Sequence, residues 1–504
     1  MIDSVKYSIL GEQEIEHNLL LPQHINPNKH SESLFERAKK KWKSNWRCYT
    51  LLIVVVLLLV ATIVIPVVIL SHRNKTDNLS YKCESYSKDI IDATMKGTLA
   101  YSRIATMCAL FGNRLSGSTA LENAINWVEQ EMITDGLANV HKEPVNVTHW
   151  VRGNEYASIQ SPYFKKLNIL GLGGSINTTS QDGITGEVLV VTSFDDLTNN
   201  SALAVGKIVL FNVVFTDYGT TVQYRVNGPT AAAKAGAIAC LVRSIAPYSL
   251  GNPHTGGTAT TTIPAAAVTL EDADLMQGLQ NLNQTIVVNL YMEAQTLPDK
   301  AVSHNVMGDV IGSDLPDEVV VVGGHIDSWD VGQGAMDDGG GVMVAWEAVR
   351  LIKALGIVPR RTIRVVAWTN EENGAAGGAN YALLHANETF FSIETDGGVT
   401  QPYGIGVQGA SDNTIKALSD LGEVLKGVGS DQVSVGEAGT DNYPLVAAGV
   451  PGGSLLTNMT QYFWYHHSEG DGVDKLDSVE MDKCVATLAT WLICLANFNG
   501  ALPQ

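Results

Sequence analysis

Cysteine is scarce in this chain of 504 residues, with only Cys48, Cys83, Cys108, Cys240, Cys484 and Cys494. There is no CxxC pair and no dense framework, so the fold rests on a hydrophobic core rather than on staples. Cys484 and Cys494 stand on one predicted helix, too far apart along it to pair easily with each other. Basic residues are also in short supply. The 33 Lys and Arg against 52 Asp and Glu leave a formal charge of −19, which argues against nucleic acid as a partner. Sequons are missing from the first seventy residues. The length implies two or three domains.

What is present begins with one apolar, uncharged run, Tyr49–Ser71, "YTLLIVVVLLLVATIVIPVVILS". Such a run is long enough for a helix to cross a hydrocarbon core of about 30 Å. A cleaved signal peptide would be shorter, begin earlier and end in small residues. A buried core helix would not have such uneven flanks: Arg37, Lys39, Lys40, Lys41, Lys43 and Arg47 precede the run, whereas only Arg73 and Lys75 follow closely. The basic flank stays cytosolic. The reading is a type II single-pass membrane protein with a cytosolic tail (1–48), a transmembrane helix (49–71), a stalk (72–86) and a lumenal or extracellular bulk. Pro66 is a candidate kink, and Cys48 at the membrane edge is a free thiol or a palmitoylation site. The sequons agree, since Asn74, Asn78, Asn146, Asn177, Asn199, Asn283, Asn387 and Asn458 all follow the run, as candidate glycosylation sites on a lumenal face. The tail carries "YSIL" and "EHNLLL", which resemble endosomal and lysosomal sorting signals. They predict sorting adaptors as partners and an endosomal, lysosomal or plasma-membrane location.

Beyond the stalk, Asp89–Leu110 and Ala120–Ile133 read as amphipathic helices. From Gly186 the short apolar runs "GEVLVV", "GKIVLF" and "AGAIACLV" are bounded by glycine, a β-rich module that ends near Leu297. From Asn305 strands alternate with helices, predicted at Gly340–Leu355, Gly377–His385, Thr414–Lys426 and Ser478–Phe498. Alternation of this kind implies an α/β fold with a mostly parallel central sheet flanked by helices. In such sheets functional groups collect beyond the carboxyl ends of the strands.

Candidate chemistry sits at those ends. "VVVVGGHIDSWDVGQGAMDDGGG", Val319–Gly341, runs a buried strand into His325, Asp327, Asp330, Asp337 and Asp338. "WTNEENG" adds Glu371 and Glu372, "IETDGG" adds Asp396, and "YHHSEGD" adds His466 and His467. Crowded carboxylates repel one another, so a cation is expected among them. Imidazole and carboxylate suit zinc, and a bridging Asp with terminal ligands would hold two ions about 3.5–4 Å apart. Asp327 lies two residues from His325 and is expected to hold its other ring nitrogen. Adjacent Glu371 and Glu372 point differently, so one can ligate while the other serves as general base. Taken singly each motif has an ordinary reading: a solvated acidic pair, a flexible or calcium-binding turn, a packed histidine pair. Their placement at successive strand ends favours the metal.

The order H-x-D, D-D-G, E-E, D-G-G and a late His resembles the co-catalytic zinc exopeptidases of the aminopeptidase type. "GNRLSGSTALENAI", "HKEPVNV", "SFDDL" and "GEAGTD" narrow the likeness to the carboxypeptidase Q group, from about Ser87 to the C-terminus. The resemblance implies a catalytic domain of residues 87–150 and 300–504 interrupted by a protease-associated domain, 151–299. It implies two zinc ions per subunit, a homodimer, and hydrolysis of small peptides, mainly dipeptides. Position by position, His325, Asp337, Glu372, Asp396 and His467 match metal ligands, with Asp337 as the bridge and Glu371 as the general base. His467 is preferred to His466 because it stands four before Asp471. The chain departs from the family's pattern at Gly472, where relatives usually have Thr, and in its membrane anchor, where they have a signal peptide. Two rival functions are an aminopeptidase on longer peptides and a receptor-like ectodomain with a dead site.

Overall fold

The computed structural model describes residues 83–502. The tail, the apolar run, most of the stalk and the sequons Asn74 and Asn78 lie outside the described residues. Among the described residues no helix is long and apolar enough to cross a membrane.

The four-valine strand is the axis of the larger sheet. Its strands are β1 (Ala138–Val147), β2 (Ala301–Val310), β3 (Leu315–His325), β4 (Arg361–Trp368), β5 (Thr389–Glu394), β6 (Pro402–Gln408), β7 (Gln432–Val435) and β8 (Gly452–Thr457). They lie in the order β1-β2-β4-β3-β5-β8-β6-β7. On β3, Val320 and Val322 join the main core, whereas Val319 and Val321 join a smaller cluster with Met307, Val366, Trp368 and Tyr381. The strand is therefore buried on both faces, which explains a continuous apolar run where a half-exposed strand would alternate. The main core is closed by the helices Gly340–Ala354 and Ser478–Ala496, together with Ala100–Phe111 and Thr119–Thr134.

Parallel pairing runs through the centre and recurs at one edge, between β6 and β7. Neighbours β4, β3, β5 and β8 are parallel, while β1/β2, β2/β4 and β8/β6 are antiparallel. The helix expected over Asp89–Leu110 is also broken. One helix covers residues 83–94 and the next Ala100–Phe111. Gly97 takes φ +100° between them, and the new N-terminus is held by side chains, with Thr98 N donating to Asp482 and Leu99 N to Glu347. Tertiary acceptors for the first free N–H groups make the break favourable. The helix expected over Thr414–Lys426 instead runs Asp412–Gly422, capped by Ser411, and tightens into a 3-10 turn, Glu423–Val428.

The chain leaves β1 and returns on β2, whose ends pair antiparallel, Val147 against Ala301. The second sheet is thus the loop of a hairpin. Its strands run in the order Lys165–Leu167, Glu155–Ser161, Val287–Met292, Ile184–Val191, Ile208–Phe211, Ala239–Arg243, Ala265–Val268 and Ile169–Gly171. It has its own cores, and the helices Tyr218–Lys234 and Leu270–Asn281 pack on it. A disulfide joins Cys83 to Cys494, so the first described helix is tied to the last; Cys108, Cys240 and Cys484 are buried free thiols. The described sequon asparagines, Asn146, Asn177, Asn199, Asn283, Asn387 and Asn458, are all exposed.

Candidate active site

All four central parallel strands feed one cluster. His325 is the last residue of β3; Glu371 and Glu372 follow β4; Asp396 follows β5; His466 and His467 lie beyond β8. Asp337 and Asp338 come from the turn before the helix Gly340–Ala354. Asp338 explains the glycines. Its carboxylate accepts from His325 N at 3.0 Å, and a Cβ at Gly324 or Gly341 would lie 2.2 or 2.1 Å from its oxygens. Only glycine lets the backbone close on that carboxylate from both sides.

Asp337 is the centre. Its Oδ1 lies 3.3 Å from His325 Nε2 and its Oδ2 3.2 Å from His467 Nε2. His325 Nε2 also lies 3.5 Å from Asp396 Oδ1, and His467 Nε2 lies 2.9 Å from Glu372 Oε2. Three overlapping groups bring ligand atoms within 4.8 Å of one another: Asp337, His466 and His467; His325, Asp337 and Glu372; His325, Asp338 and Asp396. His466 Nε2 is farther from Asp337, at 3.6 Å, and its ring stacks on His467. Asp396 and Glu371 keep 23% and 15% side-chain exposure, against 4% for Asp337. The cleft therefore opens on their side.

The backbone and buried side chains fix these groups. Asp471 accepts from the N–H groups of Ala335, Met336 and Asp337 at 3.1, 2.7 and 3.1 Å. Glu372 Oε1 accepts from Trp329 N at 3.1 Å, which aims its other oxygen at His467. Asp327 stands beside His325 Nδ1 as expected, its Oδ1 at 3.8 Å, but the shorter contact comes from its main chain. Its backbone carbonyl lies 3.0 Å from His325 Nδ1. The carboxylate accepts from the N–H groups of Glu371 and Glu372 at 3.1 and 3.4 Å and from Ser116 Oγ at 3.2 Å. The reason is that β3 ends at His325, so the two side chains no longer alternate on one pleat. Asp330 is not brought in; it pairs with Arg152 of the inserted domain at 2.6 Å.

The electrostatics call for a cation. Burial, then the charge of Asp337, pushes Glu372 up to about 8. Burial, with Glu371 and Asp337 acting against His325, pushes Asp396 up to about 6. Burial raises Asp338 well above the usual range. Asp337 alone in the cluster is held well below it, because the imidazoles of His325 and His467 beside its two oxygens outweigh its burial. His325 Nε2 and Asp337 Oδ2 are buried without a hydrogen bond, although each faces a partner at ion-pair distance. Imidazole nitrogens and carboxylate oxygens converging on orphaned atoms suit a divalent metal.

The model of "Peptidase family M28" matches residues 305–492. Carboxypeptidase Q of Bos taurus is 44% identical, with 83% of this chain and 90% of that protein covered. For carboxypeptidase Q of Homo sapiens the identity is 43%, with coverage of 84% and 91%. The chain belongs to the carboxypeptidase Q family. It is therefore a peptidase of the M28 type. A peptidase M28 precursor from Shewanella amazonensis superposes on this family member with a TM-score of 0.81 at 31% identity, covering 84% of this chain and 99% of that one. A zinc aminopeptidase from Bacillus subtilis, at 21% identity and a TM-score of 0.59, shares the fold.

Sequence reasoning placed Asp338 in the acidic loop without a role of its own, and did not assign Asp471 or Ser116 to the site. Asp471 stood in the quoted "YHHSEGD", but nothing local shows that its carboxylate reaches back to the Asp337 turn.

Proposed function

We propose that the chain is a di-zinc exopeptidase that hydrolyses small peptides, dipeptides above all. The observation that carries this is Asp337, whose two oxygens face two separate histidine–carboxylate sets. On this reading His325 and Asp396 hold one ion with Asp337, and Glu372 and His467 hold the other. Zinc ions bound there would polarise the scissile carbonyl and lower the pKa of the attacking water. The protein's own groups do the rest. Glu371 takes the proton of that water and delivers it to the departing amine. Its exposure to the cleft supports this role, as does Asp327, which holds the amides of both glutamates and so separates their directions. The test is hydrolysis of dipeptides and tripeptides by zinc-loaded and chelated protein. Activity that survives complete metal removal, or tripeptides cleaved in preference to dipeptides, would overturn it.

We read the inserted sheet as a protease-associated domain and the whole as a homodimer. We also propose a type II topology, supported by the basic flank of Tyr49–Ser71 and by exposed sequons. Protease protection of the C-terminus in sealed microsomes, with a glycosidase-sensitive mass shift, tests the orientation; a digested, unglycosylated C-terminus would refute it.

A further inference from the structure

The loop that carries His466 and His467 is held from one side by the Asp337 turn, through Asp471, and from the other by the inserted domain. Thr255 N donates to His467 O at 2.9 Å, and His254 Nδ1 lies 2.7 Å from His466 O. His254 and Ser468 form an isolated antiparallel bridge, and Asn252 donates to Ser468 Oγ at 2.9 Å. Aromatic rings close the outside of the same loop, with Phe215 and Tyr218 against Phe463 and Tyr248 against Trp464. His467 itself sits at φ +59°, a left-handed conformation that persists in a non-glycine residue only where the surroundings over-determine it.

Behind His467 stands a guanidinium. Arg225, on the inserted helix Tyr218–Lys234, is 6% exposed. Its Nη1 donates to Thr255 O at 3.2 Å and lies 3.3 Å from His467 Nδ1, and its Nη2 donates to Tyr218 Oη at 3.0 Å. His467 Nδ1 is itself 3.3 Å from Thr255 O. With Nε2 turned toward Asp337 and Glu372, Nδ1 is the ring nitrogen that an outer partner must orient. The close approach requires Gly256, where a Cβ would lie 2.2 Å from the Arg225 guanidinium carbon.

We propose that the inserted domain is one wall of the metal centre, with Arg225 a positioning residue that fixes Thr255 O and thereby the ring of His467. This rests on the di-zinc reading above. It predicts that loss of Arg225 weakens one ion, the one held by Glu372 and His467, and spares the ion held by His325 and Asp396. The experiment is titration of zinc into metal-depleted full-length protein against a chromophoric chelator. Wild type should take two ions per chain. Arg225→Met should keep one at wild-type affinity and bind the other about 10–100-fold more weakly. Arg225→Lys, which can still reach Thr255 O with one donor, should fall between. The melting temperature of the metal-free forms should match, because the loss is in ligand geometry. Should Arg225→Met fail to fold, Tyr218→Phe, which removes only the anchor of Nη2, carries the test with the same selective weakening in smaller measure. Two wild-type affinities in these variants, or equal weakening of both ions, would overturn the proposal alone. A wild-type chain that takes up no zinc would overturn both it and the di-zinc reading.

Discussion

Adjacent glutamates with different surroundings are the central feature at the residue scale. Glu372 is locked between Trp329 N and His467, while Glu371 faces the cleft. Glu371→Gln should cost about 10²–10⁴ in kcat, the usual contribution of a general base, and should keep both metals by elemental analysis. Glu372→Gln should instead release metal. The reverse pattern would exchange the roles. Asp338 offers a second test, because its carboxylate is wedged against Gly324. Gly324→Ala puts a methyl 2.2 Å from that oxygen, so it should lower the melting temperature and detach His325 from its support; an unchanged melt would show that the turn can yield. The residue types and their strand-end placement were legible in "VVVVGGHIDSWDVGQGAMDDGGG". The hydrogen-bond partners were not, because Asp471 reaches the Asp337 turn across more than a hundred residues, and the Asp327 carboxylate accepts from the amides of Glu371 and Glu372 on another strand end.

Elements show where local pattern and tertiary context part. The helix Thr119–Thr134 matches its periodicity, helped by Ser118, whose hydroxyl caps Leu121 N. The break at Gly97 is not encoded in the helical periodicity, because the acceptors that favour it are carboxylates on distant helices. Where β1 meets the helix Ala376–His385, a titrating cluster joins the two. His385 lies 2.8 Å from Glu143 and 2.7 Å from Glu388, with His141 3.6 Å from Glu143, and Arg364 pairs with Glu388 and Asp309. Glu143 raises His385 above the ordinary imidazole range, chiefly by their hydrogen bond. Against the cost of burial, the two histidines lower Glu143 from 4.5 to about 2. The raised histidine contributes stability fully below its unfolded pKa and loses it as pH rises through the folded one. The depressed glutamate contributes above its unfolded pKa and loses it as pH falls toward about 2. Both contributions coexist from about 4.5 to 6.5. His385→Ala should therefore lower the melting temperature most near pH 5–6 and progressively less above pH 7–8; a pH-independent difference would refute the linkage.

Among the described residues, one disulfide and one inserted sheet make the long-range connections. Cys83–Cys494 spans 411 residues of sequence and constrains the unfolded chain accordingly. Its removal by Cys83→Ser should cost about 2–4 kcal/mol, read from denaturant midpoints under oxidising conditions, and reduction of the wild type should match it. The α/β class, a separate β-rich module and the crowding of carboxylates and histidines at strand ends were determined by the sequence itself, because hydrophobic periodicity and strand-end chemistry are local properties; that the module is an insertion was implied by the family resemblance. Three things were decided only in three dimensions. Strand order made Val319 to Val322 doubly buried and left the sheet mixed at its edges. The disulfide partner of Cys494 had to come from the other end of the described chain. The support of His467 came from Thr255 and Arg225, more than two hundred residues earlier in the inserted domain. Each depends on contacts between segments far apart in sequence, which packing selects and no local pattern encodes.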